Sequence, residues 1–223
     1  MLELARPGSQ QGLWVAVFGP DGAGKSAVIK RLARELSPPF LEVQQFHFRP
    51  MFRRQGRDTP PITEPHAKSP RGGVLSTCKL LYWLADCWYG QVVAIRHARV
   101  NSRLVIFDRY LPDILVDPQR YRLPKSSRRF ARLTVQLAPR PDLHILLDVP
   151  AEVVQQRKAE VSLAESQRQR VAYREMFQAL PNAFMVDASA PMDEVAEDVK
   201  TVILKFLRGR LMHRAEVSLL ADV

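Results

Sequence analysis

The sequence predicts an α/β domain in which helices wrap a parallel sheet, and three observations carry that reading. Short apolar runs alternate along the chain with segments of helical period, the pattern of strand–helix repeats. The segment Gly19-Pro20-Asp21-Gly22-Ala23-Gly24-Lys25-Ser26 fits G-x-x-x-x-G-K-[ST] and joins one such run to one such helix. A length of 223 residues suits one domain of this kind, with a lid and a substantial core.

The strand candidates, in order, are Leu13–Phe18, Leu41–Phe46, Leu104–Phe107, Leu143–Asp148 and Ala183–Val186, each apolar and short. The first helix, about 24–36, follows the glycine-rich turn and carries Val28, Leu32 and Leu36 on one face. A long helix is expected over Val74–Val100, with Leu81, Ala85, Trp88, Val92 and Ile95 as its core-facing stripe. Further helices are expected at Pro124–Gln136, Ala151–Glu160, Glu165–Ala179 and Asp193–Arg208. Residues 47–73 break the pattern, because five prolines and three glycines forbid a long regular element there. This stretch reads as an acceptor-binding loop, since the strand before it ends at the sheet edge where ligands sit.

The glycine-rich segment has a physical purpose in this context. Its glycines let the backbone curl so that successive N–H groups converge, and the helix start adds partial positive charge. Gly19, Asp21, Gly22, Ala23, Gly24, Lys25, Ser26 and Ala27 form the expected triphosphate cradle. Lys25 is placed to reach the β- and γ-phosphates of ATP, and the Ser26 hydroxyl to bind Mg²⁺. The second constellation is Leu104-Val105-Ile106-Phe107-Asp108-Arg109-Tyr110, an apolar strand ending in a carboxylate. Asp108 suits the metal, directly or through water, and Arg109 offers a planar fork to a second anion.

Composition narrows the setting. Hydrophobic residues make up 46% and charged residues 25%, as in ordinary globular chains, and no apolar stretch approaches the roughly 20 residues of a membrane span. The first residues show no basic region followed by an apolar core, so no signal peptide is expected. Cys78 and Cys87 fall on opposite helix faces and suggest neither a bridge nor a metal site, which points to a reducing cytoplasm. A formal net charge of +10 attracts polyanions or is simply a solvated basic surface. No N-K-x-D segment reads guanine, so a small phosphotransferase is the economical choice. The rival reading is a nucleotide-binding regulatory module whose basic face, including the amphipathic stretch through Val199, Ile203 and Phe206, meets nucleic acid or membrane.

The chain resembles the thymidylate kinase-like P-loop kinases over nearly its whole length. The loop Pro20-Asp21-Gly22-Ala23-Gly24-Lys25-Ser26, the segment Asp108-Arg109-Tyr110, Leu147-Asp148-Val149-Pro150 and Val186-Asp187-Ala188-Ser189 carry the likeness. Tyr173 falls in the helix where that family has a V-x-x-x-Y pattern. The resemblance implies a three-layer P-loop fold with five parallel strands in the order 2-3-1-4-5, ATP and Mg²⁺ as cofactors, and a single domain with a lid at about 157–170. It also implies a small-molecule phosphate acceptor (dTMP, another nucleoside monophosphate or a non-nucleotide metabolite), no stable nucleic-acid partner and a possible homodimer. By the same resemblance Asp21 approaches the acceptor's sugar, Arg49 contacts its phosphate and Trp83 stacks on its base. Arg157 then stacks on adenine or bridges the transferring phosphates, and Lys158, Arg168 and Arg170 are further candidates for the lid charge. One departure stands out: Cys87 occupies the position of a phosphate-binding arginine in the family, and a thiol cannot donate a bidentate pair.

Overall fold

The structure, a computed structural model, describes residues 12–37, 40–48 and 69–221, with side chains as far as residue 213. Five strands form one parallel sheet: β1 Leu13–Phe18, β2 Val43–His47, β3 Leu104–Asp108, β4 Leu143–Asp148 and β5 Ala183–Asp187. Their order is β2-β3-β1-β4-β5, as the resemblance implied. β1 lies at the centre with all six residues buried, which is why it reads as an uninterrupted apolar run. The register pairs Val17 with Asp108 and Phe18 with Leu146, so the strand ends that hold the site are level with one another.

The helices are α1 Lys25–Glu35, α2 Gly73–Gly90, α3 Arg96–Val100, α4 Asp113–Val116, α5 Arg128–Leu137, α6 Ala151–Arg157, α7 Leu163–Gln178 and α8 Met192–Ala221. They cover the two faces of the sheet and give it two cores. Val15, Val17, Ile145 and Leu147 pack with Val28 and Leu32 of α1 and Val199 and Ile203 of α8. On the other face Trp14, Ala16, Phe18, Phe107 and Tyr110 pack with Leu80 and Trp83 of α2 and Tyr173 and Phe177 of α7. Alternate residues of β1 thus feed opposite layers, which fixes its register. Val195, Ala196, Val199, Ile203 and Leu207 of α8 are buried in the first core. Among the described residues no helix is long and apolar enough to cross a membrane.

One expectation is corrected in α2. Helical period points Leu81, Ala85, Trp88 and Val92 at the core, yet all four are exposed. The buried face is formed instead by Leu80, Trp83, Asp86, Cys87 and Gly90. A π-helical turn, Gln91–Ile95, interrupts the long helix before α3. Its extra residue rotates the following face, so Ile95 is buried while Val92 is not. Cys78 and Cys87 are free thiols, one exposed and one buried, on the opposite faces that their spacing indicated.

Candidate active site

The site begins with the turn between β1 and α1. Gly19 has φ 144 and Gly24 has φ 84, conformations that side chains resist. A Cβ on Gly19 would also come within 2.9 Å of the Leu147 carbonyl oxygen, and one on Gly24 within 2.5 Å of Met192. Lys25 opens α1 but turns back, its Nζ donating to the carbonyls of Gly19 at 2.8 Å and Pro20 at 2.7 Å. Burial and the nearby Arg109 draw its ammonium down to about 8, against the opposing pull of Asp108 and Asp21. It therefore carries its charge at neutral pH and sits close to losing it.

Asp108 closes β3 beside this turn. Its Oδ2 accepts a hydrogen bond from the Ser26 hydroxyl at 3.2 Å, and His47 Nδ1 from β2 lies 3.6 Å away, an ion-pair distance. Burial opposes its charge, but His47, Lys25 and Arg109 hold its carboxyl down at about 2. The other oxygen, Oδ1, is buried with no hydrogen-bond partner among the described residues. An orphaned carboxylate oxygen next to a serine hydroxyl at a phosphate loop fits a hard cation that takes oxygen ligands. Among the described residues no cluster of three or more His, Cys, Asp or Glu is arranged for a metal. Mg²⁺ suits such a place, because it uses one or two protein ligands together with substrate phosphates.

Behind the turn, four charges alternate in sign: Asp113, Arg109, Asp21, Arg120. Arg109 has φ 66 and is buried, its Nη1 bridging both oxygens of Asp113 at 3.0 and 2.8 Å and its Nη2 reaching Asp21 at 2.8 Å. Arg120 pairs with the second oxygen of Asp21. Burial works against the Asp21 charge, but Arg109, Lys25 and Arg120 keep its carboxyl well below the usual range. Asp113 is fully buried and is further held by the hydroxyls of Tyr121, at 2.6 Å, and Tyr173. The Tyr173 hydroxyl also lies 3.3 Å from the Gly19 carbonyl, tying α7 to the phosphate loop.

The remaining expected residues fall in two places. Trp83 is buried edge-on against Phe48 at 5.1 Å and Tyr121 at 5.7 Å, with Lys79 Nζ 4.5 Å over its ring. Cys87 is buried one turn further along the same face. Arg157 ends α6 and donates to the carbonyls of Ala188 at 2.8 Å and Ser189 at 3.2 Å, in the loop after β5. Gly22 faces Lys158, whose Cβ would lie 3.3 Å from an added Cβ there. Lys158 itself pairs with Glu160 at 2.5 Å. Arg170 and Arg174 both clasp Asp148 at the end of β4, and Arg168 is held by Glu165. Arg49 and most of the expected acceptor loop lie outside the described residues.

Sequence reasoning missed the part played by Arg120, Tyr121 and Tyr173 in a single network. The sequence alone groups Asp113 and Asp117 with the Arg120-Tyr121-Arg122 cluster as readers of an acceptor, or else as a charged helix start. Asp113 proves to be the buried anchor of Arg109 instead. The one available signal was the repeated Arg-Tyr pair after the third strand, Arg109-Tyr110 and Arg120-Tyr121.

This geometry can be set beside known proteins. Thymidylate kinase from Ehrlichia chaffeensis superposes with a TM-score of 0.57 at 16% identity, covering 86% of this chain and 99% of that one. Thymidylate kinase from Candida albicans superposes with a TM-score of 0.61 at 19% identity, covering 87% and 92%. Comparison with curated proteins by sequence gives no match. At these identities the superpositions speak for the fold alone. The family itself is shown by sequence, because the profile described as Thymidylate kinase matches residues 17–199. That span runs from the phosphate loop through the network around Arg109 to the first turns of α8, and the chain belongs to the thymidylate kinase family.

Proposed function

We propose that this P-loop kinase moves the γ-phosphoryl group of Mg·ATP to a small acceptor other than dTMP, either another nucleoside monophosphate or a non-nucleotide metabolite. The observation that carries the ATP half is the convergence of Lys25, Ser26 and the orphaned Asp108 oxygen on one turn. Ser26 and Asp108 would hold Mg²⁺, which would neutralise charge on the phosphates. Lys25 exchanges its two carbonyl partners for the β- and γ-phosphates and balances charge on the transferring group. Arg157, pinned to the loop after β5, fits the adenine side of the donor. Lys158, next to Gly22, fits the lid charge better than Arg168 and Arg170, which are engaged by carboxylates.

Three features support an acceptor other than dTMP. Trp83 is enclosed by Phe48 and Tyr121, which leaves little of its face for a base to stack upon. Cys87 is buried and offers no charged donor. Asp21, expected near the acceptor's sugar, is clasped by two arginines. For an alcohol acceptor, Asp108 or Asp21 would take the proton; a monophosphate oxygen needs no base. Free thiols at Cys78 and Cys87 fit a reducing cytoplasm, and the apolar outer face of α2 fits a second copy of the chain.

A screen of nucleoside monophosphates, sugars and other alcohols with labelled ATP tests the reading. Transfer to at least one acceptor, with dTMP poorer than the best by tenfold or more, is the expected result. Efficient transfer to dTMP would overturn the acceptor half, and failure to bind Mg·ATP would overturn the whole.

A further inference from the structure

A second cleft, distinct from the phosphate loop, opens between α5 and α7 on the face of the sheet that also carries α2. Its volume is about 520 Å³, within the range of small-molecule sites. The floor is apolar: Leu115, Val116, Val135, Met176 and Leu180 line it, with the Tyr110 ring behind. Three arginines stand at its lining, Arg128 and Arg132 one helical turn apart on α5, and Arg140 in the loop before β4. All three are exposed and none has an ion pair or hydrogen bond among the described residues. Glu175 of α7 is the single carboxylate in the lining. Three cations against one anion, around an apolar trough, form an arrangement that repels itself until an anion arrives.

The polar atoms inside the cleft point the same way. The Tyr110 hydroxyl is already spent on the Pro139 carbonyl at 2.9 Å. His144, buried at the floor, donates from Nδ1 to the Pro181 carbonyl at 3.0 Å, because a carbonyl can only accept. Burial holds its imidazole down at about 4, with Arg140 adding to the effect, so it stays neutral. The positive charge is therefore confined to the rim and the floor is uncharged. Such a division suits a molecule with an anionic head and an apolar body rather than a bare inorganic ion. The cleft adjoins the Asp108–Asp113 segment at Tyr110 and Pro112, but its arginine-bearing end lies away from the phosphate loop. His144 is the second residue of β4 and Pro139–Pro141 precede that strand, whereas the phosphate loop follows the opposite strand ends.

We propose that the cleft between α5 and α7 binds a small free amphipathic anion, its phosphate or carboxylate on Arg128, Arg132 and Arg140 and its apolar body on the floor. The probe is monomeric octyl phosphate, titrated calorimetrically into the full chain with and without saturating Mg·ATP. Octyl phosphate should bind at least tenfold more tightly than inorganic phosphate or octanol, with affinity unchanged by Mg·ATP. Arg128→Gln, Arg132→Gln and Arg140→Gln combined, or Ala172→Trp filling the trough, should each weaken it tenfold or more. Both variants should bind Mg·ATP as before, which shows that they fold. Competition by Mg·ATP would assign the anion to the phosphate loop and overturn the proposal. So would equal binding by the variants, or binding to phosphatidylglycerol vesicles in place of the monomeric probe.

Discussion

Replacing Asp108 by asparagine keeps the shape of the side chain and removes its charge, which separates its structural role from the catalytic role proposed for it. The first is structural. Its carboxyl is held at about 2 against an ordinary value of 3.8, so the ionised form adds about 2 kcal/mol to stability at neutral pH. The sign follows from the depressed value: this contribution is present above pH 4 and is lost as pH falls through 2. The asparagine is neutral throughout, so the variant should be less stable by about 2 kcal/mol at pH 7, or roughly 5 °C in melting temperature. It should nevertheless remain folded. The second role is catalytic. If Asp108 holds Mg²⁺ as proposed, loss of its charge should lower kcat by about 10²–10³-fold and weaken the response to Mg²⁺. A third consequence is distinctive. Asp108 helps keep Lys25 protonated at about 8, so the alkaline fall of kcat/KM should begin at lower pH in the variant. ADP release measured from pH 6 to 9, beside a urea unfolding curve, reads all three. Turnover within threefold of wild type, with an unaltered Mg²⁺ response, would refute the reasoning.

Lys25→Ala should reduce ADP release by orders of magnitude while the circular dichroism spectrum stays native, because an alanine keeps α1 intact. Gly24→Ala forces a side chain to φ 84 and costs about 1–2 kcal/mol. Its affinity for Mg·ATP should drop, and adding Met192→Ala should relieve the contact but not restore binding. His144 is buried and held at about 4 against 6.5 when free. The folded state therefore takes up its proton later than the unfolded state, and up to about 3 kcal/mol of stability should be lost as pH falls from 6.5 to 4. His144→Gln should flatten that dependence in urea titrations, and an unchanged slope would count against it.

The parts of the structure legible in the sequence are those whose cause is local. β1 and β4 can be read residue for residue, because a central parallel strand is apolar on both faces and needs no partner to declare itself. The phosphate loop is legible because its glycines answer to φ and close approach within the turn. The face of α2 is not, since this helix is apolar around much of its circumference and helical period alone chooses between two stripes. The π-helical turn then shifts the phase, which no composition signal announces. The end of α8 lies well beyond the expected Arg208, because neither Gly209 nor the basic residues near it stop a helix that runs on to Ala221. In the site, Asp21 meets Arg120 across 99 positions. Such pairing is a product of topology, invisible until β1 and β3 are neighbours.

The alternating row of Asp113, Arg109, Asp21 and Arg120 bears on how the acceptor is held. Arg109 commits Nη1 to Asp113 and Tyr173 and part of Nη2 to Asp21. Buried and in a left-handed conformation, it is fixed in place before any acceptor arrives. Arg120 commits Nη1 to Asp21 and its backbone N–H to Asp117, so among the described residues it retains most of its guanidinium donors. An anionic acceptor would thus meet one arginine with little left to give and one with more, the pair already balanced by Asp113 and Asp21 together. A neutral, hydroxyl-bearing acceptor meets the same row on better terms, because it can accept from Arg120 and donate to Asp21 without breaking either ion pair. On the proposed function, an anionic acceptor that reached this row would compete with Asp21, whereas an alcohol would join it. The burial of Cys87, which supplies no further cation, leaves that balance in place.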